Sequence, residues 1–334
     1  MSKGGGGGPI LQQVDLVIPV FNEEEVLVFF HSKLSTEIAG LPYRFQIIYV
    51  NDGSLDQTAG MLDQIAGTDE RVTIIELSRN FGHQAALTAG LDQAQGDFVI
   101  TLDGDGQHPP ERIGEMLRLA VDGKYDIVLM QRVEESSLNA FKRSTSHFFY
   151  SLINRIGETR VVAGAADFRL LTHPVVLALR SMPEYHRFLR GMVNWMGFRT
   201  VILPYVQPAR LAGASKYTFK KMLSLAENAV FSFSLVPLYI AMSIGGLFLI
   251  LAIIEAIYVL SFWVTGRISG LAPGWSSLMF MLLIVGGSIL IALGLIGVYI
   301  GYIFQEVKRR PVYLIRRIWS KAAEMPLADP LRPI

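Results

Sequence analysis

The sequence predicts an α/β domain on a mostly parallel sheet with helices on both faces, followed by a pair of membrane-spanning helices. Three observations predict it. Short apolar runs that read as strands alternate with helix-like stretches through the N-terminal part of the chain, the pattern of strand–helix–strand units. A polar cluster follows each of the first four strands. Near the C-terminal end stand two apolar runs of over twenty residues, each long enough for a hydrocarbon core of roughly 30 Å.

Composition narrows the classes. The 334 residues are 51% hydrophobic and 18% charged, with a mean hydropathy of +0.37, too apolar for an ordinary soluble protein. A net charge of +1 argues against a nucleic-acid binder, which carries a basic excess. The absence of cysteine excludes disulfides, thiol catalysis and zinc–thiolate sites. The opening MSKGGGGGP has no apolar core and does not read as a signal peptide; residues 1–13 are expected to be a disordered tail.

Residues 14–20, VDLVIPV, read as the first strand. Asn22 then offers a helix cap, with Glu23, Glu24 and Glu25 in the first turn, and a helix is expected to about residue 38. Residues 45–50, FQIIYV, form the second strand, ending in Asn51-Asp52-Gly53-Ser54, and 57–66 a helix. Residues 72–77 form the third strand, followed by Ser78-Arg79-Asn80-Phe81-Gly82-His83, and 84–95 the next helix. Right-handed crossovers would bring the clusters at Asn22/Glu23, Asp52, Asn80 and Asp103/Asp105 to one edge of the sheet. The first strand is not followed by G-x-G-x-x-G, since Pro19 stands there, and there is no Walker A sequence, so dinucleotide and P-loop sites are not expected.

The stretch 98–110, FVITLDGDGQHPP, is the one on which the chemistry turns. An apolar strand runs into Asp103-Gly104-Asp105-Gly106-Gln107. Acids two apart point the same way on extended backbone, and the glycines admit a close ligand. Two carboxylates and an amide oxygen at a strand's C-terminal end suit a hard divalent cation that also holds phosphates, and ligands of open α/β sheets bind at that end. The competing reading is an acidic, glycine-rich turn exposed to water.

Residues 125–130 read as a strand leading to Arg132, and about 134–156 as a polar-aromatic, helical segment. Asp167 could cap a helix over 173–180; His173 and His186 lack metal-like spacing. Residues 198–204 read as an edge strand. The loop Arg210-Leu211-Ala212-Gly213-Ala214-Ser215-Lys216 groups a guanidinium, a hydroxyl and an ammonium suited to a phosphate, or else is a solvated basic loop near a membrane. Residues 217–234 read as an amphipathic interface helix. The spans are 235–264, apolar except for Glu255, and 277–304, which has no charge. Basic residues flank the pair, Lys216, Lys220 and Lys221 before it and Lys308, Arg309, Arg310, Arg316 and Arg317 after it, so both flanks are expected in the cytoplasm. Gly297 and Gly301 leave self-association into a homo-oligomer open, and 305–334 is expected to be a basic cytoplasmic tail.

Taken together, VIPVFNEE, NDGSLDQT, SRNFGHQAAL, TLDGDGQHPPE, ADFRL and RLAGASKY resemble, in this order, the polyprenyl-phosphate glycosyltransferases of glycosyltransferase family 2. The likeness covers about residues 14–220. It implies a GT-A catalytic domain over 14–216 and transfer of a sugar from a nucleotide-sugar to a polyprenyl phosphate at a bacterial inner membrane, with the catalytic domain cytoplasmic. UDP-glucose is the first expected donor; UDP-N-acetylhexosamine, UDP-formamido-arabinose and GDP-mannose are alternatives, as is a membrane-anchored nucleotidyl- or phosphotransferase. By position the resemblance assigns the nucleotide to Pro19, Phe21, Asn22, Glu23, Val50, Asp52, Asp103 and Gly104. It assigns Mg²⁺ or Mn²⁺ to Asp103, Asp105 and Gln107, and the phosphates to Arg132, Arg210, Ser215 and Lys216. Asp105, Asp167 and Arg132 are the implied catalytic residues. Gly104 and Gly106 depart from the Ala and Leu of many relatives. The Q-x-x-R-W element of processive synthases is absent.

Overall fold

The computed structural model describes residues 11–133, 164–185, 187–207, 236–265 and 274–321. The described residues form two compact units. The first is an eight-stranded sheet in the order β7-β5-β6-β4-β1-β2-β3-β8, with helices α1 (Leu27–Ala39), α2 (Thr58–Thr68), α3 (His83–Gln93), α4 (Ile113–Asp122), α5 (His173–Arg180) and α6 (Leu189–Trp195).

The centre of the sheet is parallel. β1 (Gln13–Val20) lies between β2 (Arg44–Asn51) and β4 (Phe98–Thr101), and β3 (Val72–Leu77) extends it beyond β2. Strands covered on both faces need apolar side chains on both. Val14, Leu16, Val17 and Ile18 accordingly have no exposed surface. The chain order reverses between β1 and β4, so their C-terminal ends flank a crevice of the kind where α/β sheets bind ligands. Beyond β4 the sheet turns antiparallel at β6 (Ala165–Thr172), which pairs on its other side with β5 (Ile127–Val133); β7 (Thr200–Val206) closes that edge, parallel to β5. The edge strand expected at 198–204 is therefore present.

Three sequence expectations change. Asn22 does not cap α1. The helix starts at Leu27, and Asn22 stands at φ +53°, a left-handed conformation that Asn tolerates better than most residues. Its side-chain oxygen accepts from Leu55 N at 2.9 Å instead. Asp167 does not cap α5, since it lies inside β6 and Thr172 precedes the helix. The 305–334 segment is not tail throughout. Its residues Ile315–Ser320 form β8, antiparallel to β3, and Arg317 reaches Asp63 and Glu76 at 2.7 and 2.6 Å.

The second unit carries helices α7 (Val236–Val264) and α8 (Trp275–Val307), which pack on each other. Leu282, Leu290, Ile291, Ile300 and Phe304 face outward, as on a helix with no core to cover it. Among the described residues one stretch, Ile284–Val307 of 24 residues, is long and apolar enough to cross a membrane, and α7 contains the shorter apolar run Leu238–Phe248. The segments 1–10, 134–163, 208–235, 266–273 and 322–334 lie outside the described residues. So do His186, Arg210, Ser215, Lys216 and the interface helix expected at 217–234.

Candidate active site

The polar clusters that follow the central strands meet. After β1, Asn22 N donates to Ser54 Oγ at 3.0 Å and Glu23 N to Thr58 Oγ1 at 2.9 Å, joining the β1 turn to the β2 turn. Asp52 joins the β2 turn to the β3 turn, since its two oxygens accept from Phe81 N at 2.7 Å and Gly82 N at 2.9 Å. Burial pushes the Asp52 carboxyl up, against those two amides. Gly53 lets the turns touch. Its φ is +66°, and a Cβ there would lie 2.5 Å from the Arg79 carbonyl carbon, so no other residue fits without moving the backbone. Pro19 and Val50 are register partners buried in the sheet beneath these turns, whereas Phe21, Asn22 and Glu23 are partly exposed at its rim.

The turn after β4 carries the acids. Gly104 presses on β1, where a Cβ would sit 2.7 Å from Val20 Cγ1. Asp105 accepts from Gln107 N at 3.0 Å and Gln107 Nε2 at 2.6 Å, and Gln107 Oε1 accepts from Gln207 Nε2. Asp103 N donates to His108 Nδ1 at 2.8 Å, which leaves Nε2 as the protonated nitrogen of a neutral His108. Stacking on Phe168 at 5.2 Å and edge contact with Tyr205 at 6.2 Å hold that ring. Asp103 Oδ1 is buried without a hydrogen-bond partner.

Opposite stands a closed ionic node. Asp167, 3% exposed, receives Arg190 Nε at 3.2 Å and Nη2 at 2.8 Å, and Arg169 on the same strand face. Gln84 Nε2 adds a 3.4 Å contact, while Gln84 Oε1 accepts from Leu189 N at 3.3 Å. Burial pushes the Asp167 carboxyl up, but the guanidiniums of Arg190 and Arg169 and the His83 ring outweigh it and hold it well below the usual carboxylate range. His83, at the start of α3, bridges the two acids with Nε2 3.5 Å from Asp103 and 3.4 Å from Asp167. Desolvation lowers its proton affinity, yet the two carboxylates prevail and push it up to about 9. Tyr205 is pushed up to about 12 by burial and by Asp103, with Asp105, Arg132 and Arg190 also acting on its hydroxyl.

The structure thus brings together Asn22, Glu23 and Asp52 on one rim, and Asp103, Asp105, Gln107 and Asp167 around the β4 turn. Arg132 is exposed at the end of β5, with its N–H on Gly164 O at 2.9 Å. The sequence reading missed His83, His108, Arg169 and Arg190. Three of them had signals: His83 sits in the turn after β3, where the other clusters have their counterparts; His108 adjoins the acidic turn; and Arg169 lies two residues from Asp167, on the same strand face. Arg190 had none, because it comes from another helix.

An acidic turn facing a cationic wall at the carboxyl ends of a parallel sheet defines a class, a site for an anionic ligand and its counter-ion. Residues 15–176 match glycosyl transferase family 2. An uncharacterized glycosyltransferase of Synechocystis is 36% identical over 92% of this chain and 96% of its own. A prophage-derived bactoprenol glucosyl transferase of Shigella flexneri is 37% identical over 91% and 98%. A prophage bactoprenol glucosyl transferase homolog of Escherichia coli is 37% identical over 92% and 99%. The chain belongs to glycosyltransferase family 2, and it is a transferase of glycosyl groups.

Proposed function

We propose that this protein transfers a hexose, glucose from UDP-glucose first, to a polyprenyl phosphate such as undecaprenyl phosphate at a bacterial inner membrane. The observation that carries the acceptor is the likeness to bactoprenol glucosyl transferases along nearly their whole length. The geometry supports it with an acid-rich turn, a cationic wall and a long outward-facing apolar helix in one chain.

In the reaction an oxygen of the lipid phosphate attacks C1 of the sugar in line with the departing nucleoside diphosphate. The C1–O bond to the lipid forms as that to the diphosphate breaks, which inverts the anomeric centre. The lipid phosphate is already ionised at neutral pH and needs no general base. What opposes the step is the approach of two anions, and Arg132, Arg210, Ser215 and Lys216 are assigned to neutralise and hold them. Phe21, Asn22, Glu23 and Asp52 line the nucleoside side, with Pro19, Val50 and Gly104 as its packed floor. Asp167 orients groups rather than taking a proton. Positioning two substrates at one surface replaces a bimolecular encounter.

Asp103, Asp105 and Gln107 are the residues that would hold Mg²⁺ or Mn²⁺. Their oxygens are hard donors, and Asp103 Oδ1 is buried without a hydrogen-bond partner. Among the described residues no three His, Cys, Asp or Glu side chains gather into a metal-binding group. When bound, such an ion supplies Lewis-acid stabilisation of the leaving diphosphate. We assign the catalytic domain to 14–216 together with β8, the interface helix to 217–234, and two crossings to α7 and α8. We assign the sheet to the cytoplasmic side, a reading that the basic residues flanking the two helices support.

The test is a panel of radiolabelled nucleotide-sugars incubated with membranes containing the protein and undecaprenyl phosphate. Label in the organic phase is expected, strongest with UDP-glucose. Label that never enters the lipid, or that enters as nucleotide, overturns the proposal.

A further inference from the structure

One segment grips both ends of the turn between β3 and α3. The chain leaves α8 at Val307, and from Pro311 onward it belongs to the same compact unit as the sheet. Leu314 O accepts from Ser78 N, the first residue of the turn, at 2.9 Å. β8 then runs antiparallel along β3, with Arg317 opposite Glu76 and Ser320 opposite Thr73, and covers an edge that would otherwise stand open. Arg317 Nε donates to Glu76 of β3 at 2.6 Å and its Nη2 to Asp63 of α2 at 2.7 Å. Beyond the turn, the Tyr313 hydroxyl donates to Asp92, in the last turn of α3, at 2.8 Å. The same few residues thus hold the strand that enters the turn and the helix that leaves it. The turn has little packing of its own, since Ser78, Arg79 and Asn80 are exposed, and segments of that kind open most easily. Yet it builds one side of the cleft. Phe81 N and Gly82 N hold Asp52, the Arg79 backbone lies against Gly53, and His83 stands between Asp103 and Asp167. A loose turn would have to be ordered at the expense of ligand binding.

We propose that residues 311–320 are a strap that sets the 78–83 turn for the nucleotide, with Tyr313 and Arg317 as its positioning residues. The inference rests on the glycosyl-transfer reading above, which puts the nucleoside beside Asp52. Neither residue touches the ligand. Tyr313 acts through α3 and Arg317 through β3 and α2, so two separate grips serve one turn.

The experiment compares full-length wild type, Tyr313→Phe, Arg317→Ala and Arg317→Lys in micelles. Each is titrated calorimetrically with UDP and, separately, with farnesyl monophosphate. KM for UDP-glucose and for undecaprenyl phosphate, kcat, and amide hydrogen exchange without ligand are also measured. Tyr313→Phe and Arg317→Ala loosen different elements, so a shared turn requires the same shift from both. UDP affinity is expected to fall about fivefold and the KM for UDP-glucose to rise to match, with kcat and the lipid arm within twofold. Exchange should quicken over 78–83 and stay unchanged in β1 and β4. Arg317→Lys, which keeps the charge but loses the two-point reach, is expected to recover part of the loss. UDP affinity within twofold of wild type in either Tyr313→Phe or Arg317→Ala overturns the proposal, even where exchange quickens. Equal weakening of both arms, or faster exchange through β1 and β4, also overturns it, because that reports a loosened fold. Wild-type protein that binds UDP yet moves no sugar to lipid sinks the functional reading, while the loss of UDP affinity in both variants still upholds this one.

Discussion

Asp103 and Asp167 face one histidine from opposite sides, yet their surroundings differ. Asp167 is enclosed, with two guanidiniums, an amide and His83 around its two oxygens. Asp103 keeps a buried oxygen with no hydrogen-bond partner and, among the described residues, its side-chain ion contacts are the long ones to His83 and His108, at 3.5 and 3.6 Å. A buried acceptor left without a donor costs free energy, and a fold keeps such a group where a ligand repays it. A carboxylate whose lone pairs are all spoken for is scaffold. The pair teaches that in this site the acid with the fewest protein partners is the one to expect against ligand, and the best-partnered one is the one to expect in stability.

The largest expected effect comes from the acidic turn that also holds Asp103. Among the described residues Asp105 bonds only within its own turn, so Asp105→Asn leaves the core untouched. It should cost transfer several kcal/mol in the barrier, on the order of 10²-fold or more in kcat, with stability changed by about 0.5 kcal/mol or less. Chelation of divalent ions should reproduce the loss and added Mg²⁺ or Mn²⁺ reverse it. Full activity in the variant would remove the acidic turn from the chemistry.

On the closed side the order inverts. Asp167→Ala strands two arginines, one of them fully enclosed, and removing one partner of a buried pair costs about 3–5 kcal/mol. Chemical denaturation in micelles should show it; a variant as stable as wild type would mean the node is not closed. The pH dependence carries a sign of its own. The folded Asp167 carboxyl titrates well below its ordinary value, against about 3.9 in the unfolded chain. Its contribution is therefore whole above about pH 4 and is lost as the pH falls from there through the folded value. The gap in stability between wild type and Asp167→Asn should widen as the pH falls from 9 to about 6, because the Asp167 carboxylate helps hold the proton on His83, and narrow below 4.

What could be read beforehand follows the same division. The central strands and their turns were legible because strands covered on both faces must be apolar along their length, and because turn chemistry is local. The acidic turn was legible for the same reason. The Asp167 node was not, since Arg190 and Gln84 lie 23 and 83 residues away, and a lone acid beside a helix reads as a cap. Nor was β8. Ile315–Ser320 carries two arginines, which look like a basic tail until Asp63 and Glu76, 254 and 241 residues upstream of Arg317, supply partners. Residue type announces a local turn, whereas a buried charge is explained only by a partner that the fold delivers.

A third carboxylate tests whether closure alone makes scaffold. Asp92, in the last turn of α3, receives the Tyr313 hydroxyl at 2.8 Å, with Arg187 farther off at 3.9 Å. Burial pushes its carboxyl up, and Tyr313, Arg187 and Arg180 do not bring it back. Asp92 is thus enclosed like Asp167 but less well compensated, and its sign is opposite. The folded state holds the proton more tightly than the unfolded one, so its stabilising share is whole below the unfolded value near pH 4 and is lost as the pH rises through the folded value. Tyr313→Phe removes the closest donor from an ionised group and should cost about 1–3 kcal/mol at pH 8. At a pH well below the unfolded value, where the carboxyl is protonated in both states, the same substitution should cost less. A penalty that is equal at both pH values would mean that Tyr313 acts by packing alone, and that the ionic partners of a buried acid in this protein do not decide whether it stabilises.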